Sequence, residues 1–287
     1  MKNFDLHRFG QALKCQLMVG RKLWIRLFSI FTLVMFMAGL FWTRIQGTPY
    51  KIMETWGADE LYHSYERHVT QSVVFAVVFF CIAMLFGAGG MFSQMKDTRT
   101  RSAYLLWPVS NLEKYVISLL LSVVLMAVVT IGAFVFADAL RVFVDWVTGR
   151  IVIWGIPKFF SPQGEAFTAS GEWRLLWMVL SFVFYFHSLY IVGGTLFRRQ
   201  QFLLTSVTIV AVSILLIIIL NQIDWSGVDI EFINGYWDEK TQTYINVFHP
   251  LFYILNSVLC ALIIFHYWAS YKLFTRMQVI NNKWLNV

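Results

Sequence analysis

Six apolar runs, each close to 20 residues long, constrain this chain more than any other feature of its sequence. They cover roughly residues 23–43, 69–92, 115–137, 173–197, 202–221 and 250–271. About 20 apolar residues are what a helix needs to cross a hydrocarbon core of about 30 Å. In lipid, backbone N–H and C=O groups must find partners within their own helix or a closed barrel. The runs are continuous rather than alternating, so they predict helices and exclude a membrane β-barrel. Composition agrees, since 58% of the 287 residues are hydrophobic and only 14% are charged. Soluble domains carry about 25% charged residues, and a soluble fold this apolar would expose large sticky patches. The expected fold class is an all-α membrane protein, one transmembrane domain over residues 1–287 with six transmembrane helices.

Charge predicts the orientation. With both termini in the cytoplasm, 15 of the 23 Lys and Arg residues fall on the inner side, including Lys2, Arg8, Lys14, Arg21, Lys22, Arg26, Lys96, Arg99, Arg101 and Lys114. Only Asp5, Asp97 and Glu113 of the 16 acidic residues join them. The inner segments then carry +12 and the outer ones −5, which together give the +7 of the chain. The Lys and Arg bias favours this arrangement in a bacterial inner membrane, and a charge divided by side is no nucleic-acid signature. The first run continues through Phe41 and Trp42 into Thr43-Arg44-Ile45-Gln46 without a small-residue cleavage pattern, so it reads as an uncleaved span. Cys15 falls inside and Cys81 and Cys260 within spans, so no structural disulfide is expected.

Residues 1–22 have a pattern of their own. Leu6, Phe9, Leu13 and Leu17 recur at helical spacing, with Arg8, Gln11 and Lys14 opposite. An amphipathic helix lying in the headgroup layer, its cations toward anionic membrane lipid, is the expectation. The second run ends in Gly87-Ala88-Gly89-Gly90, small residues that admit a close helix neighbour. A basic inner loop follows, and then Leu105-Leu106-Trp107-Pro108-Val109-Ser110-Asn111-Leu112-Glu113-Lys114-Tyr115. Here Ser110 and Glu113 have capping-box spacing directly before the third apolar run, and Pro108 stops any preceding helix. Phe197 to Gln201 predict a tight inner turn. The outer loops, about 44–68, 138–172 and 222–249, leave room for small β-elements, at Ile151–Trp154 and, with a turn at Asn234-Gly235, in the last loop.

The stretch from Leu105 to Tyr115 resembles the leucine–proline–serine–glutamate–tyrosine segment before the third span in permease subunits of type 2 ABC transporters, typically exporters. The six-span layout and the amphipathic leader fit the same family. The resemblance implies two permease subunits forming the translocation path, as a homo- or heterodimer, with separate cytoplasmic P-loop ATPase subunits beneath. It implies that residues 1–22 act as a connecting helix and that the loop after the second span docks the ATPase. Carried onto this chain, the docking residues are Lys96, Arg99, Arg101, Trp107, Pro108 and Glu113, with Ser110 and Glu113 setting the start of the next span. One departure stands out. Many members have an apolar re-entrant hairpin before the last span, whereas residues 222–249 carry Asp224, Asp229, Glu231, Asp238 and Glu239.

No G-x-x-x-x-G-K-[ST] occurs, so ATP would be bound by a partner subunit and this chain is expected to be neither an enzyme nor a cofactor binder. Glu60, His63, Glu66 and His68 offer a weak metal-ligand pattern that reads better as a solvated acidic loop. The spans are almost free of formal charge, while ion-coupled carriers place ionisable groups near the midplane. Only His187 sits there, with Tyr185, Ser188 and Tyr190 beside it. It reads first as a neutral imidazole bonded to a neighbouring hydroxyl and second, with Tyr185, as a contact in a translocation path. Trp24, Trp42, Trp173, Trp177 and Trp268 read as interfacial anchors or packing surface. Two other classes remain open: a scaffold protein binding a partner through its outer loops, and a membrane-embedded enzyme.

Overall fold

The computed structural model describes residues 4–45, 58–92, 98–160, 173–197, 200–222, 233–238, 240 and 243–276. In chain order the elements are α1 (Leu6–Leu40), a π turn (Phe41–Ile45), α2 (Ala58–Gly89), α3 (Thr98–Leu105), α4 (Asn111–Leu120), a second π turn (Leu121–Leu125), α5 (Met126–Val147) and α6 (Ile156–Phe160). There follow α7 (Trp173–Leu196), α8 (Gln201–Leu220), β1 (Ile233–Asp238), β2 (Thr243–Phe248) and α9 (Pro250–Arg276). Among the described residues, six helical segments are long and apolar enough to cross a membrane: Leu6–Arg44, Asp59–Gly89, Asn111–Val147, Trp177–Leu196, Gln201–Leu220 and Pro250–Arg276. The chain is a multi-pass, all-α membrane protein, with one small hairpin beside the helices.

Several helices outrun their apolar stretches. α1 is one uninterrupted helix of 35 residues, about 52 Å at 1.5 Å per residue. The leader is therefore not a separate helix ending at residue 22, because nothing between Arg21 and Arg26 stops helical hydrogen bonding. α2 starts at Ala58 with Asp59 and Glu60 in its first turn, where acidic side chains favour the helix dipole. Most of the residues assigned to the first outer loop's far end are thus helical. Likewise α5 continues to Val147, ten residues past the apolar stretch. Residues 151–154 form no strand, contrary to expectation, since Ile153 turns its carbonyl to a buried arginine instead.

The hairpin expected in the last loop exists, with a different turn. Asn234 and Gly235 lie inside β1, paired with Val247 and Asn246. The connection falls after Asp238, which lets two six-residue strands pair along their full length. The Pro162-Gln163-Gly164 turn lies outside the described residues.

The chain forms two compact units: residues 1–9, 85–122 and 164–287 in one, and residues 10–84 and 123–163 in the other. In the first, Ala88, Tyr190 and Ile191 form a core with Phe202 against it. The small residues foreseen at the end of α2 do admit a close neighbour: a Cβ on Gly89 would stand 3.3 Å from Phe202. The α7–α8 hairpin is tighter still. A Cβ on Gly193 would come within 1.9 Å of Thr205 Oγ1, so only glycine fits. Gln200, directly before α8, has a left-handed backbone at φ +48°, and Gln201 Nε2 donates to the Gly194 carbonyl at 2.8 Å.

Among the described residues the second unit has three apolar clusters. Phe31, Met84, Met126 and Ala133 form one, Met35, Val73, Phe134 and Ala137 another, and Tyr65, Val69 and Ile153 the third. Phe31 and Phe79 meet edge to face at 5.1 Å, an arrangement the ring quadrupoles favour.

Candidate functional site

The start of the third span is built from two interlocked helix caps. Ser110 has extended backbone geometry, φ −65° and ψ 155°, which leaves its side chain free to cap α4. Its Oγ accepts from the Glu113 amide at 3.2 Å, and the Ser110 amide donates to Glu113 Oε2 at 2.7 Å. This is the capping box read from the sequence. Asp5 caps α1 in turn, its Oδ1 accepting from the His7 amide at 2.9 Å and the Arg8 amide at 3.3 Å.

Glu113 joins the two. Its Oε1 accepts from the Asp5 amide at 2.8 Å and from Arg8 Nη2 at 2.6 Å, and its Oε2 accepts from Arg8 Nε at 3.0 Å. The pair is a two-pronged guanidinium–carboxylate contact, the geometry in which arginine binds most strongly. Glu113 is wholly buried while Arg8 keeps 24% of its side chain exposed. Glu113 therefore faces the leader rather than outward, where a docking contact would have to point.

An aromatic box flanks this junction. Phe92, Tyr104, Tyr115 and Phe274 are buried together, with Trp107 packed against them. Phe92 stacks on Phe274 at 5.1 Å, and Tyr104 Oη lies 3.0 Å from Ser118 Oγ. Lys114, also buried, holds its ammonium 6.0 Å from the Tyr104 ring centre. The box fixes α3 against α4 and the end of α9. Between the two buried anchors Tyr104 and Val109, the chain presents Leu106 at 79% exposure, with Pro108 and Leu112 also exposed. Of the other expected docking residues, Arg99 and Arg101 lie on α3 and Lys96 falls outside the described residues.

His187 sits in a second polar cluster. Its ring is buried and its Nδ1 lies 3.0 Å from Tyr267 Oη. The partner hydroxyl comes from α9, not from the neighbours on its own helix. Ser188 Oγ lies 3.0 Å from His266 Nδ1, and the Tyr185 ring stands 5.5 Å from His266. Tyr115 Oη donates to the Tyr267 carbonyl at 3.1 Å. The cluster thus bonds α7 to α9 and α9 to α4, and His187 Nε2 has no partner among the described residues. His63 and Glu66 are 3.5 Å apart on the exposed side of α2, with Lys158 Nζ 2.7 Å from Glu66.

The second unit holds a network that sequence reading missed. Arg141 is 2% exposed and lies between Asp138 and Asp145, at 2.7 and 3.0 Å. Its Nη2 also donates to the Ile153 carbonyl at 2.6 Å. Asp145 takes a hydrogen bond from the Tyr65 hydroxyl and one from Arg44 Nη2 at 2.9 Å. Asp138 Oδ2 accepts from the amides of Gly155 and Ile156 at 2.9 and 3.0 Å. Burial of two acids and a guanidinium is tolerable only because nearly every polar atom is matched. The signal was present: Asp138, Arg141 and Asp145 stand at i, i+3 and i+7, the spacing of neighbours on one helix face.

No family model, curated protein or solved structure matches this chain.

Proposed function

We propose that this chain is the membrane-spanning permease subunit of an ATP-driven exporter of the type 2 ABC class. It sits in the bacterial inner membrane with both termini in the cytoplasm, where the excess of Lys and Arg favours them. Two permease subunits form the path, and separate P-loop ATPases bind beneath. The central apolar stretches of the spans carry almost no formal charge. The Asp138–Arg141–Asp145 network lies past the apolar stretch of α5 with its charges paired, so the energy comes from outside this chain.

The observation that carries the reading is the braced segment from Thr98 to Lys114. A short basic helix, a Pro turn and a fully capped span start are held between two buried anchor sets. A docking face has to be stiff if a partner's movement is to reach the membrane. Leu106, Pro108 and Leu112 supply its exposed apolar part, and Lys96, Arg99 and Arg101 its charge. Glu113 belongs to the bracing rather than the contact.

The test is purification of the tagged chain in mild detergent from its native host, with mass spectrometry of what accompanies it. A P-loop ATPase in near-equal amount is the expected outcome, lost when Arg99 and Arg101 are both changed to Glu. A chain that comes out alone, or with an unrelated envelope protein, defeats the reading in favour of a scaffold.

A further inference from the structure

α5 is built inside out for a helix in water. Its polar side chains, Thr130, Asp138, Arg141 and Asp145, are all buried. Val128, Phe136, Leu140, Phe143, Trp146 and Val147 are exposed instead, and no polar residue is exposed before Thr148. A helix end that stood in water would turn its charges outward and its apolar side inward. Contacts with α1 give the level of the charges. Arg44, which closes the first apolar run, bonds to Asp145. Arg141 lies deeper. A Cβ on Gly39, about 7 Å short of Arg44 along the helix, would stand 3.2 Å from Arg141 Cδ.

The chain after α5 descends to the same depth and returns. Arg150 Nη1 donates to the Thr43 carbonyl at 3.4 Å, and Ile153 packs with Tyr65 and Val69. Gly155 comes so close to α2 that a Cβ on it would stand 3.1 Å from Val73 Cγ2. Val73 is about 12 Å along α2 from Tyr65. Ile156 packs beside it, on the cluster that holds Met35 and Phe134. Lys158 is back beside Glu66, at 2.7 Å. Irregular backbone at bilayer depth is tolerated only where protein groups satisfy its polar atoms. Here Arg141 donates to the Ile153 carbonyl, and Asp138 accepts from the amides of Gly155 and Ile156. The buried charges do for this backbone what water would do outside.

We propose that residues 150–158 re-enter the bilayer, held there by Asp138 and Arg141, and that lipid acyl chains cover the exposed face of α5 as far as Val147. Trp146 then lies at headgroup level with Arg44, where tryptophan collects. The network sits in the leaflet at the Arg44 end of α1 with its charges paired. It therefore serves the re-entrant backbone rather than an ion path. None of this needs an ATPase, so it stands apart from the permease reading.

Spin labels on the full chain in phosphatidylethanolamine–phosphatidylglycerol vesicles test this. Cys15, Cys81 and Cys260 are changed to Ala, and single labels are attached through Phe143→Cys and Trp154→Cys. Val128→Cys supplies the lipid reference and Glu60→Cys the water reference; all four positions are exposed. Collisions with dissolved oxygen, which enters hydrocarbon, are compared with those of a neutral nickel chelate, which does not. At Phe143 and Trp154 the chelate is expected to collide at least about tenfold less often than at Glu60, because unpaired polar groups are excluded from hydrocarbon. Oxygen should collide there as often as at Val128. Leu140→Cys repeats the reading about one turn deeper, should Phe143→Cys not reconstitute. If the chelate reaches Phe143 as it reaches Glu60, that face is in water and the lipid contact is overturned. Low collision rates with both reagents mean that a second copy or another protein covers the face, which overturns it equally. Chelate access at Trp154 alone defeats the re-entry.

Discussion

The two buried charge clusters, Arg8–Glu113 in one unit and Asp138–Arg141–Asp145 in the other, use the same chemistry in opposite ways. Arg141 is 2% exposed and both of its acids are 3% exposed or less. Arg141 is also reached by Tyr65 from α2 and by the Ile153 carbonyl from the chain that follows α5, while Arg44, in the turn after α1, holds Asp145. Arg8 keeps 24% of its side chain exposed, and it reaches its acid from the end of a helix. A cluster that nothing can leave without stranding a charge is a fixed clamp. In the Arg8 contact only the guanidinium reaches water, so breaking it leaves one buried acid, Glu113, held by the amides of Asp5 and Ser110. The difference makes the Arg141 cluster the more enclosed clamp and the Arg8 contact a joint with one side open to solvent.

The sharpest way to break this comparison is to remove Arg141. Arg141→Ala leaves Asp138 and Asp145 buried with a central partner gone, and breaking a buried pair from one side costs about 3–5 kcal/mol. The expected outcome is a large drop in melting temperature in detergent, or failure to purify folded protein. A shift as small as that of a surface pair would show that water reaches the cluster, and the clamp would then be no different from the Arg8 contact.

Sequence reading was strong where structure is local and apolar. The six runs gave six membrane-length helices, and Ser110 with Glu113 gave a real capping box, because both depend on residues within a turn or two. It was weak at helix ends. Hydropathy falls after Ala137, so residues 138–147 read as loop, yet ion pairing at helical spacing carries α5 on to Val147. That assignment hid the Arg141 network, whose members were in plain view. Asn234-Gly235 misled for a related reason: a turn-forming pair can sit inside a strand when the neighbouring residues pair better in another register. The Arg8–Glu113 contact left no trace, since its partners are 105 positions apart and no pattern joins them. The hydroxyl for His187 came from Tyr267 for the same reason.

Tyr65 sharpens the comparison at an intermediate size. Its hydroxyl donates to Asp145 in the buried cluster, while Asp145 keeps Arg44 and Arg141. Tyr65→Phe therefore removes one donor to a charged group without stranding the charge, and such bonds are worth about 1.5–3 kcal/mol. Thermal melting should place this variant well above Arg141→Ala in stability and clearly below the wild type. An unchanged melting temperature would mean that the Asp145 carboxylate is satisfied without α2, so that the clamp does not tie these helices.

Ser110→Ala has the smallest expected effect and separates cap from contact in the other unit. It deletes the acceptor for the Glu113 amide, while the Ser110 amide still donates to Glu113 Oε2, because that bond belongs to the backbone. Arg8 and the Asp5 amide keep their hold on the carboxylate. Loss of such a cap costs about 1 kcal/mol, read as a modest fall in melting temperature with the exchange of the α1 amides unchanged. If the variant instead loosened residues 6–12 as much as residues 111–116, cap and contact would be one cooperative unit. Arg8–Glu113 would then resemble the Arg141 cluster, a fixed joint whose strength depends on every member being present.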